Sequence, residues 1–153
     1  MRNHPFETGK GRKSKKAVVF DLDGTIADTE DPNANHKTNH DGFRNHARNA
    51  STFPEMVDKV RKAKEKGMDV VILTARSAHY RKDTKEWLNE HNIPYDALYM
   101  RPVDDDRKDK VVKRSLLKKE ILPDFNVKKA FDDKKKNVKM FRKQGIKAEQ
   151  VND

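Results

Sequence analysis

The stretch Ala17-Val18-Val19-Phe20-Asp21-Leu22-Asp23-Gly24-Thr25 decides how this chain is read. Its first four residues are apolar and rich in β-branched and aromatic side chains, which predicts a short buried strand. Two carboxylates follow, one residue apart, and Gly24 then turns the chain. Ligands of open α/β sheets bind at the carboxyl ends of strands. The strand therefore delivers Asp21 and Asp23 to a site. Taken alone, the same residues also suit an Asp-rich turn with glycine supplying an unusual φ. Partners at the ends of later strands decide between the two.

Outward from this stretch, the patterning predicts strands alternating with helices. Thr52 and Glu55 have capping-box spacing and Pro54 suits a first helical turn, so a helix is expected to run to about Lys66. Gly67 stops it, and Met56, Val57 and Val60 form its apolar stripe. Residues 70–73 predict a second strand, ending at Thr74-Ala75-Arg76. A helix over 79–91 carries Tyr80, Trp87 and Leu88 on one face, and Ile93-Pro94 ends it. A third strand is predicted over 97–100, then a helix over 108–121 with Val112, Leu116 and Leu117 facing inward. A fourth strand, 127–131, ends at Asp132-Asp133. A helix over 135–143 is stopped by Gly145, and 148–151 forms a last strand. This alternation implies an α/β fold with a mostly parallel sheet and right-handed crossovers.

Two segments fall outside the alternation. Residues 1–16 carry Arg2, Lys10, Arg12, Lys13, Lys15 and Lys16 against Glu7 alone, which predicts a flexible basic arm that grips phosphates or aids solubility. Gly9-Lys10-Gly11-Arg12-Lys13-Ser14 lacks the spacing of a phosphate-binding loop and follows no strand, so no ATP site is expected. Residues 28–52 are rich in Asn, His and Asp. They are expected to form a flap or small cap over the site, with one short helix near residues 43–50. His36 and His40 are four apart, but zinc needs more than two ligands, so substrate contact or solvation is their expected role. The remaining chain, 17–153, is expected to be one domain.

Composition sets further bounds. At 153 residues, with 33% hydrophobic and 39% charged residues, the core must be compact and the exterior heavily solvated. The absence of cysteine excludes disulfides, a thiol nucleophile and a cysteine-based zinc site. No apolar stretch is long enough to span a membrane and no secretory pattern is present, so a soluble, cytoplasmic protein is expected. The net charge of +10 attracts polyanions, nucleic acid first among them. A generally basic, solvated surface is the alternative.

Gathered at one edge of the sheet, the strand ends make a constellation. The first gives Asp21 and Asp23, the second Thr74 and Arg76, the fourth Asp132 and Asp133. Lys113 lies four residues after Asp109, which puts both side chains on one helical face, where the carboxylate can hold the ammonium. Converging carboxylates repel unless some stay protonated. A divalent cation removes the conflict, and Mg²⁺ suits an all-oxygen site that also takes phosphate. Thr74, Arg76 and Lys113 supply the donors and positive charge that a phosphoryl group needs. In this arrangement Asp21 attacks phosphorus and an aspartyl-phosphate forms. Asp23 protonates the leaving alkoxide, then deprotonates the water that cleaves the intermediate.

These residues resemble the motifs of the haloacid dehalogenase-like superfamily of aspartyl-phosphate phosphatases. Asp21-Leu22-Asp23-Gly24-Thr25 is similar to the first motif, Thr74 to the second, Lys113 to the third and Asp132-Asp133 to the fourth, all in family order. The resemblance covers roughly Lys16 to the C-terminus. It implies a Rossmann-like three-layer α/β/α fold with a small cap insert, Asp21 as nucleophile and Asp23 as general acid/base. It also implies Mg²⁺ held by Asp21, the main-chain carbonyl of Asp23 and an acid of the fourth motif, with Asp133 expected as the direct ligand and Asp132 as its support. Met100-Arg101, Arg107-Lys108-Asp109, Val111-Val112-Lys113 and Phe131-Asp132-Asp133 further resemble the 3′-phosphatase domain of phage polynucleotide kinase/phosphatase. By that similarity Arg76 and Asp109 match substrate-binding positions. The segment 26–52 shows no counterpart of an arginine used by that relative.

The spacings from Asp21 to Thr74 and from Thr74 to Lys113 leave no room for a large lid. An under-covered site admits the end of a polymer, and the basic surface offers its backbone a track. Removal of 3′-phosphate from DNA or RNA ends is therefore the expected activity. The alternatives are a 5′(3′)-nucleotidase or other small-molecule phosphatase, which needs a closed pocket, a non-catalytic nucleic-acid-binding module on the same scaffold, and a receiver-like domain with a long-lived aspartyl-phosphate. The sequence names no protein partner.

Overall fold

The apolar run at 17–20 forms a strand because both of its faces have cores to fill. The structure, a computed structural model, describes residues 15–29 and 49–152. Its strands are β1 (Lys16–Phe20), β2 (Ala27–Asp28), β3 (Ser51–Thr52), β4 (Asp69–Ser77), β5 (Ala97–Arg101), β6 (Asn126–Asp132) and β7 (Ala148–Gln150). Its helices are α1 (Pro54–Glu65), α2 (Arg81–Glu90), α3 (Asp109–Leu116) and α4 (Lys135–Lys143). Five strands form one sheet in the order β5-β4-β1-β6-β7. Every pairing in it is parallel, as the alternation of strands and helices predicts. β2 and β3 form a separate antiparallel pair.

Side chains of a strand point alternately to opposite faces, and the two cores follow that period. Val18, Phe20, Val70 and Ile72 pack with Met56, Val57, Val60, Trp87 and Leu88 of α1 and α2. Ala17, Val19, Val71 and Leu73 pack on the other face with Leu117, Ile121, Met140 and Phe141. The result is three layers. Each fully buried large side chain, such as Phe20 or Leu88, contributes about 1.5–3 kcal/mol by leaving water. β4 follows β1 in sequence and lies on one side of it, whereas β6 lies on the other. That reversal opens a crevice at the carboxyl end of β1.

Several element ends differ from expectation. Phe53, not Thr52, precedes α1, and no side chain caps that helix. Thr52 is engaged in the ladder with Ala27, so its hydroxyl is not where a capping box needs it. Pro54 does occupy the first turn, and Gly67 ends the helix with a φ of 80°. The expected helix over 79–91 begins with a 3₁₀ turn, Ala78–Tyr80, and becomes α-helical at Arg81. The helix expected over 108–121 is α-helical only to Leu116 and continues as a π turn, Leu117–Ile121. Leu117 and Ile121 are fully buried there, while Leu116 is only half-buried. The wider turn keeps the first two inside the core, and Leu116 packs against its edge. Of the arm expected over 1–16, residues 1–14 lie outside the described residues, as do His36, His40 and residues 30–48 of the expected flap with most of the short helix expected near 43–50. Lys16 instead opens β1, and Lys15 Nζ donates to the Gly67 carbonyl at 2.8 Å. No helix among the described residues is long and apolar enough to cross a membrane.

Candidate active site

Asp21 is the first residue past β1. Its N–H donates to the Phe131 carbonyl at 2.9 Å, which extends the pairing with β6 by one residue and fixes where the carboxylate leaves the sheet. The chain then turns tightly. The N–H groups of Thr25, Ile26 and Ala27 all donate to the Leu22 carbonyl. Gly24 takes a φ of 83°, and a Cβ at that position would run into the carboxylate of Asp133. Only glycine combines that backbone with that proximity. Asn152 Nδ2 donates to the carbonyls of Gly24 and Thr25, so the last described residue braces the turn.

Lys113 reaches this turn from α3. Its ammonium, 2% exposed, donates to Asp21 Oδ1 and to Asp132 Oδ2, both at 2.7 Å. The expected tie between Asp109 and Lys113 does not form. Asp109 Oδ1 instead accepts from Arg101 Nη2 at 2.6 Å. Two buried carboxylates attract the ammonium inward, whereas Asp109 sits at the exposed start of the helix. Arg101 also donates to the carbonyls of Ala75, Asp105 and Arg107. It thereby staples the end of β4 and the loop before α3 to one another. Its access to Ala75 comes from an irregularity in the β4–β5 pairing between Thr74 and Ser77. Such irregularities often re-aim side chains beside active sites.

Arg76 leaves β4 at the same irregularity. It donates to both oxygens of Asp23 and, through Nη1, to Thr84 Oγ1 at 2.9 Å. Thr74 Oγ1 accepts from the Arg76 N–H at 3.1 Å, which leaves its hydroxyl hydrogen available to another acceptor. Asp132 is engaged at both oxygens: Oδ2 accepts from Lys113, and Oδ1 accepts from the Lys134 N–H and Asn137 Nδ2. Asp133 is not. Its Oδ1 is buried without any hydrogen-bond partner among the described residues.

A cavity of 250 Å³ collects Asp21, Asp23, Thr74, Arg76, Asp109, Lys113 and Asp133, with Lys134 at its edge. Every predicted site residue therefore lines one space except Asp132, which lies beneath it and is 1% exposed. Sequence reasoning missed four contributors. Thr25 donates to Asp21 Oδ2 at 3.0 Å. Arg101, Asn137 and the Lys134 N–H position acids of the site. Thr25 was available from its place beside the Asp pair. Asn137 gave one signal, an amide on the otherwise apolar face of the helix predicted over 135–143.

The electrostatics favour a cation. One oxygen from each of Asp21, Asp132 and Asp133 lies within 4.8 Å of the others. Burial pushes the Asp21 carboxyl well above the ordinary range, and the charge of Asp132 adds to the shift, against the pull of Lys113. Burial also raises Asp133, again with help from Asp132. Burial alone would lower the Lys113 ammonium, but Asp21 and Asp132 outweigh it and hold that proton above the usual lysine range. Three carboxylates facing one ammonium leave a negative excess. With the partnerless oxygen of Asp133 and an all-oxygen donor set, the residues present fit a hard divalent ion such as Mg²⁺.

The doubly wound parallel sheet with its acid-lined crevice is the fold of the haloacid dehalogenase-like phosphatases. A Class C acid phosphatase from Bacillus anthracis shares that fold with a TM-score of 0.60 at 22% identity, over 84% of this chain and 55% of the other. The model of the polynucleotide kinase PNKP phosphatase domain matches residues 15–153, and the chain belongs to that family. A chain in the structure of the Pnkp1/Rnl/Hen1 complex superimposes with a TM-score of 0.78 at 29% identity, over 90% of this chain. A protein of Autographa californica nuclear polyhedrosis virus, named for bifunctional polynucleotide kinase and RNA ligase, is 28% identical over 144 residues, 93% of this chain. This chain spans 46% of the first of these two relatives and 20% of the second.

Proposed function

We propose that this phosphatase-family chain removes 3′-phosphate from DNA or RNA ends, with Mg²⁺, through a phosphorylated Asp21. The observation that carries the proposal is the meeting of Asp21, Lys113 and the Asp132–Asp133 pair at one cavity, in a chain of the polynucleotide kinase PNKP phosphatase family. The catalytic unit on this reading is 17–153, with 28–52 as its flap.

A carboxylate oxygen of Asp21 attacks phosphorus, and the bond from phosphorus to the 3′ oxygen breaks. Asp23, once released by Arg76 and protonated from solvent, gives that proton to the leaving oxygen. It then takes a proton from the water that attacks the aspartyl-phosphate, which releases inorganic phosphate and restores Asp21. Arg76 engages both oxygens of Asp23, so Asp23 must leave Arg76 to meet the leaving group. An arriving phosphoryl group offers Arg76 replacement acceptors and frees Asp23 at the right moment. The Thr74 hydroxyl donates to a phosphoryl oxygen. Lys113 keeps Asp21 aimed and partly neutralises it as the anionic ester approaches. Asp109, tied to Arg101, borders the substrate.

Asp21, the carbonyl of Asp23 and Asp133 would hold Mg²⁺, with Asp132 as support. The free oxygen of Asp133 and the hydrogen bonds already made to both oxygens of Asp132 favour that division. The ion, when bound, supplies positive charge to the phosphoryl oxygens and to the acids around it.

The test compares kcat/KM on a 3′-phosphorylated oligonucleotide with that on nucleoside monophosphates across a salt series. Preference for the oligonucleotide, weakening as salt rises, supports the proposal. Faster, salt-indifferent turnover of mononucleotides overturns its substrate.

A further inference from the structure

The N-terminal ends of α3 and α4 meet at the rim of the catalytic cavity. A second cavity, of 560 Å³, opens between them, and Lys108, Lys110, Lys134, Lys135 and Lys136 line it. It shares Asp109 and Lys134 with the catalytic cavity. A third cavity, of 280 Å³, follows the seam between the two helices. It shares Lys110 and Lys136 with the second and adds Arg114, Lys139 and Lys143. The three join into one trough that starts at the reacting carboxylates.

The eight basic side chains that line the second and third cavities are all exposed. None forms an ion pair with a carboxylate among the described residues, and Asp109, the acid on the wall, is held by Arg101. Lysines elsewhere do find acids, as Lys62 finds Asp58, Lys64 finds Asp96 and Lys129 finds Glu149. Lys136, Lys139 and Lys143 fall three and four residues apart on α4, so their like charges repel along one helical face. A polyanion in the trough relieves that repulsion. Neither helix has a side-chain cap, so both present the positive ends of their dipoles to the second cavity. No aromatic residue lines the second or third cavity, so neither offers bases a stacking platform.

We infer that this trough seats the phosphodiester backbone of the single strand leading to the reacting 3′-phosphate. The inference rests on the polynucleotide-end reading above and adds where the strand runs. α4 has nine residues and is roughly 13 Å long. At about 3.4 Å per nucleotide stacked, and more when extended, the trough holds roughly two to four nucleotides. Recognition is electrostatic and independent of base sequence.

The test pairs two triple variants of equal charge. Lys110→Gln/Lys136→Gln/Lys139→Gln alters the trough, and Lys118→Gln/Lys119→Gln/Lys147→Gln alters other exposed surface. The readout is the ratio of kcat/KM on 3′-phosphorylated oligonucleotides of increasing length to that on a nucleoside 3′-phosphate. In parallel, binding of a labelled single strand ending in a 3′-hydroxyl is followed by anisotropy across a salt series. The trough variant is expected to lose about tenfold in the ratio. Its salt slope should fall by about 2, three contacts at about 0.7 each. The control variant should keep both, and the wild-type ratio should stop rising by about four nucleotides. Equal losses in both variants, or none in either, overturn the trough while leaving the 3′-phosphatase reading intact. A wild-type enzyme that does not prefer the oligonucleotide overturns both.

Discussion

Replacing Lys113 with Met removes the ammonium while keeping a side chain of similar length in a site that is 2% exposed. Packing changes little, because methionine fills irregular core space well. What remains is Asp21 and Asp132, both buried, with their shared cation gone. Breaking a buried ion pair from one side costs about 3–5 kcal/mol. For a chain of this size each kcal/mol shifts Tm by about 2–4 °C, so the expected fall at neutral pH is about 6–20 °C. The sign of its pH dependence follows from the two shifts. Lys113 holds its proton more tightly folded than unfolded. Its contribution is therefore complete at neutral and acid pH and is lost only as alkaline pH passes its raised folded value. Asp21 is raised as well, so its ionisation costs the folded state stability above the ordinary carboxylate range, and acidification removes that cost. In the variant the cost grows, and the deficit in Tm shrinks as pH falls toward about 5. Mg²⁺ restores part of the Tm at neutral pH by replacing the missing charge. Phosphatase activity drops at least about 100-fold, the scale expected when a preorganised charge is removed from a site. Thermal unfolding followed by circular dichroism at both pH values, with and without Mg²⁺, reads all of this. A variant within about 2 °C of wild type at neutral pH, far below the range expected for breaking a buried pair, would show that Lys113 is not the counter-charge of the acids.

Gly24→Ala places a Cβ against Asp133 on a backbone of φ 83°. It is expected to cost about 1–3 kcal/mol and to weaken Mg²⁺ binding, measured by calorimetric titration of the folded variant. Arg101→Ala removes donors to Ala75, Asp105, Arg107 and Asp109 together. The loop before α3 should then exchange its amides faster, and KM should rise more than kcat falls. Asp23→Asn should lower kcat by about 10²–10⁴-fold while the fold persists, since it removes the acid/base carboxyl and the charge that Arg76 engages but keeps a side chain of the same shape. Because Asp21 and Asp133 are raised, Mg²⁺ competes with protons for them. Its affinity should fall on acidification, and its uptake should release protons, detectable by calorimetry in buffers of different ionisation enthalpy.

The two central strands, β1 and β4, were legible because they are buried on both faces. Val18-Val19-Phe20 and Val70-Val71-Ile72-Leu73 read as continuous apolar runs, which one-sided strands do not give. The motif acids were legible because each stands at the carboxyl end of a predicted strand, where a parallel sheet gathers its ligands. Partner choice was not. The i, i+4 spacing of Asp109 and Lys113 allowed a pair that two buried carboxylates, distant in sequence, took instead. The capping box failed for a similar reason, since pairing of Thr52 with Ala27 claims it first. The π turn at Leu117–Ile121 depends on how Leu117 and Ile121 meet the core, and no local preference announces it. Asn137 was visible as an odd amide on an apolar face, but its service to Asp132 was not. Local rules place residues at the site, and tertiary competition decides what each one holds.

In the proposed mechanism Asp21 carries the phosphoryl group. Wild-type protein with Mg²⁺ and a 3′-phosphorylated oligonucleotide, quenched in acid within one turnover and digested for mass spectrometry, tests this directly. The peptide containing Asp21 should gain the mass of one phosphoryl group, reversibly at neutral pH, and the gain should vanish in folded Asp21→Asn protein together with phosphate release. Phosphate release by Asp21→Asn at the wild-type rate, or a phosphoryl group on another residue, contradicts the account.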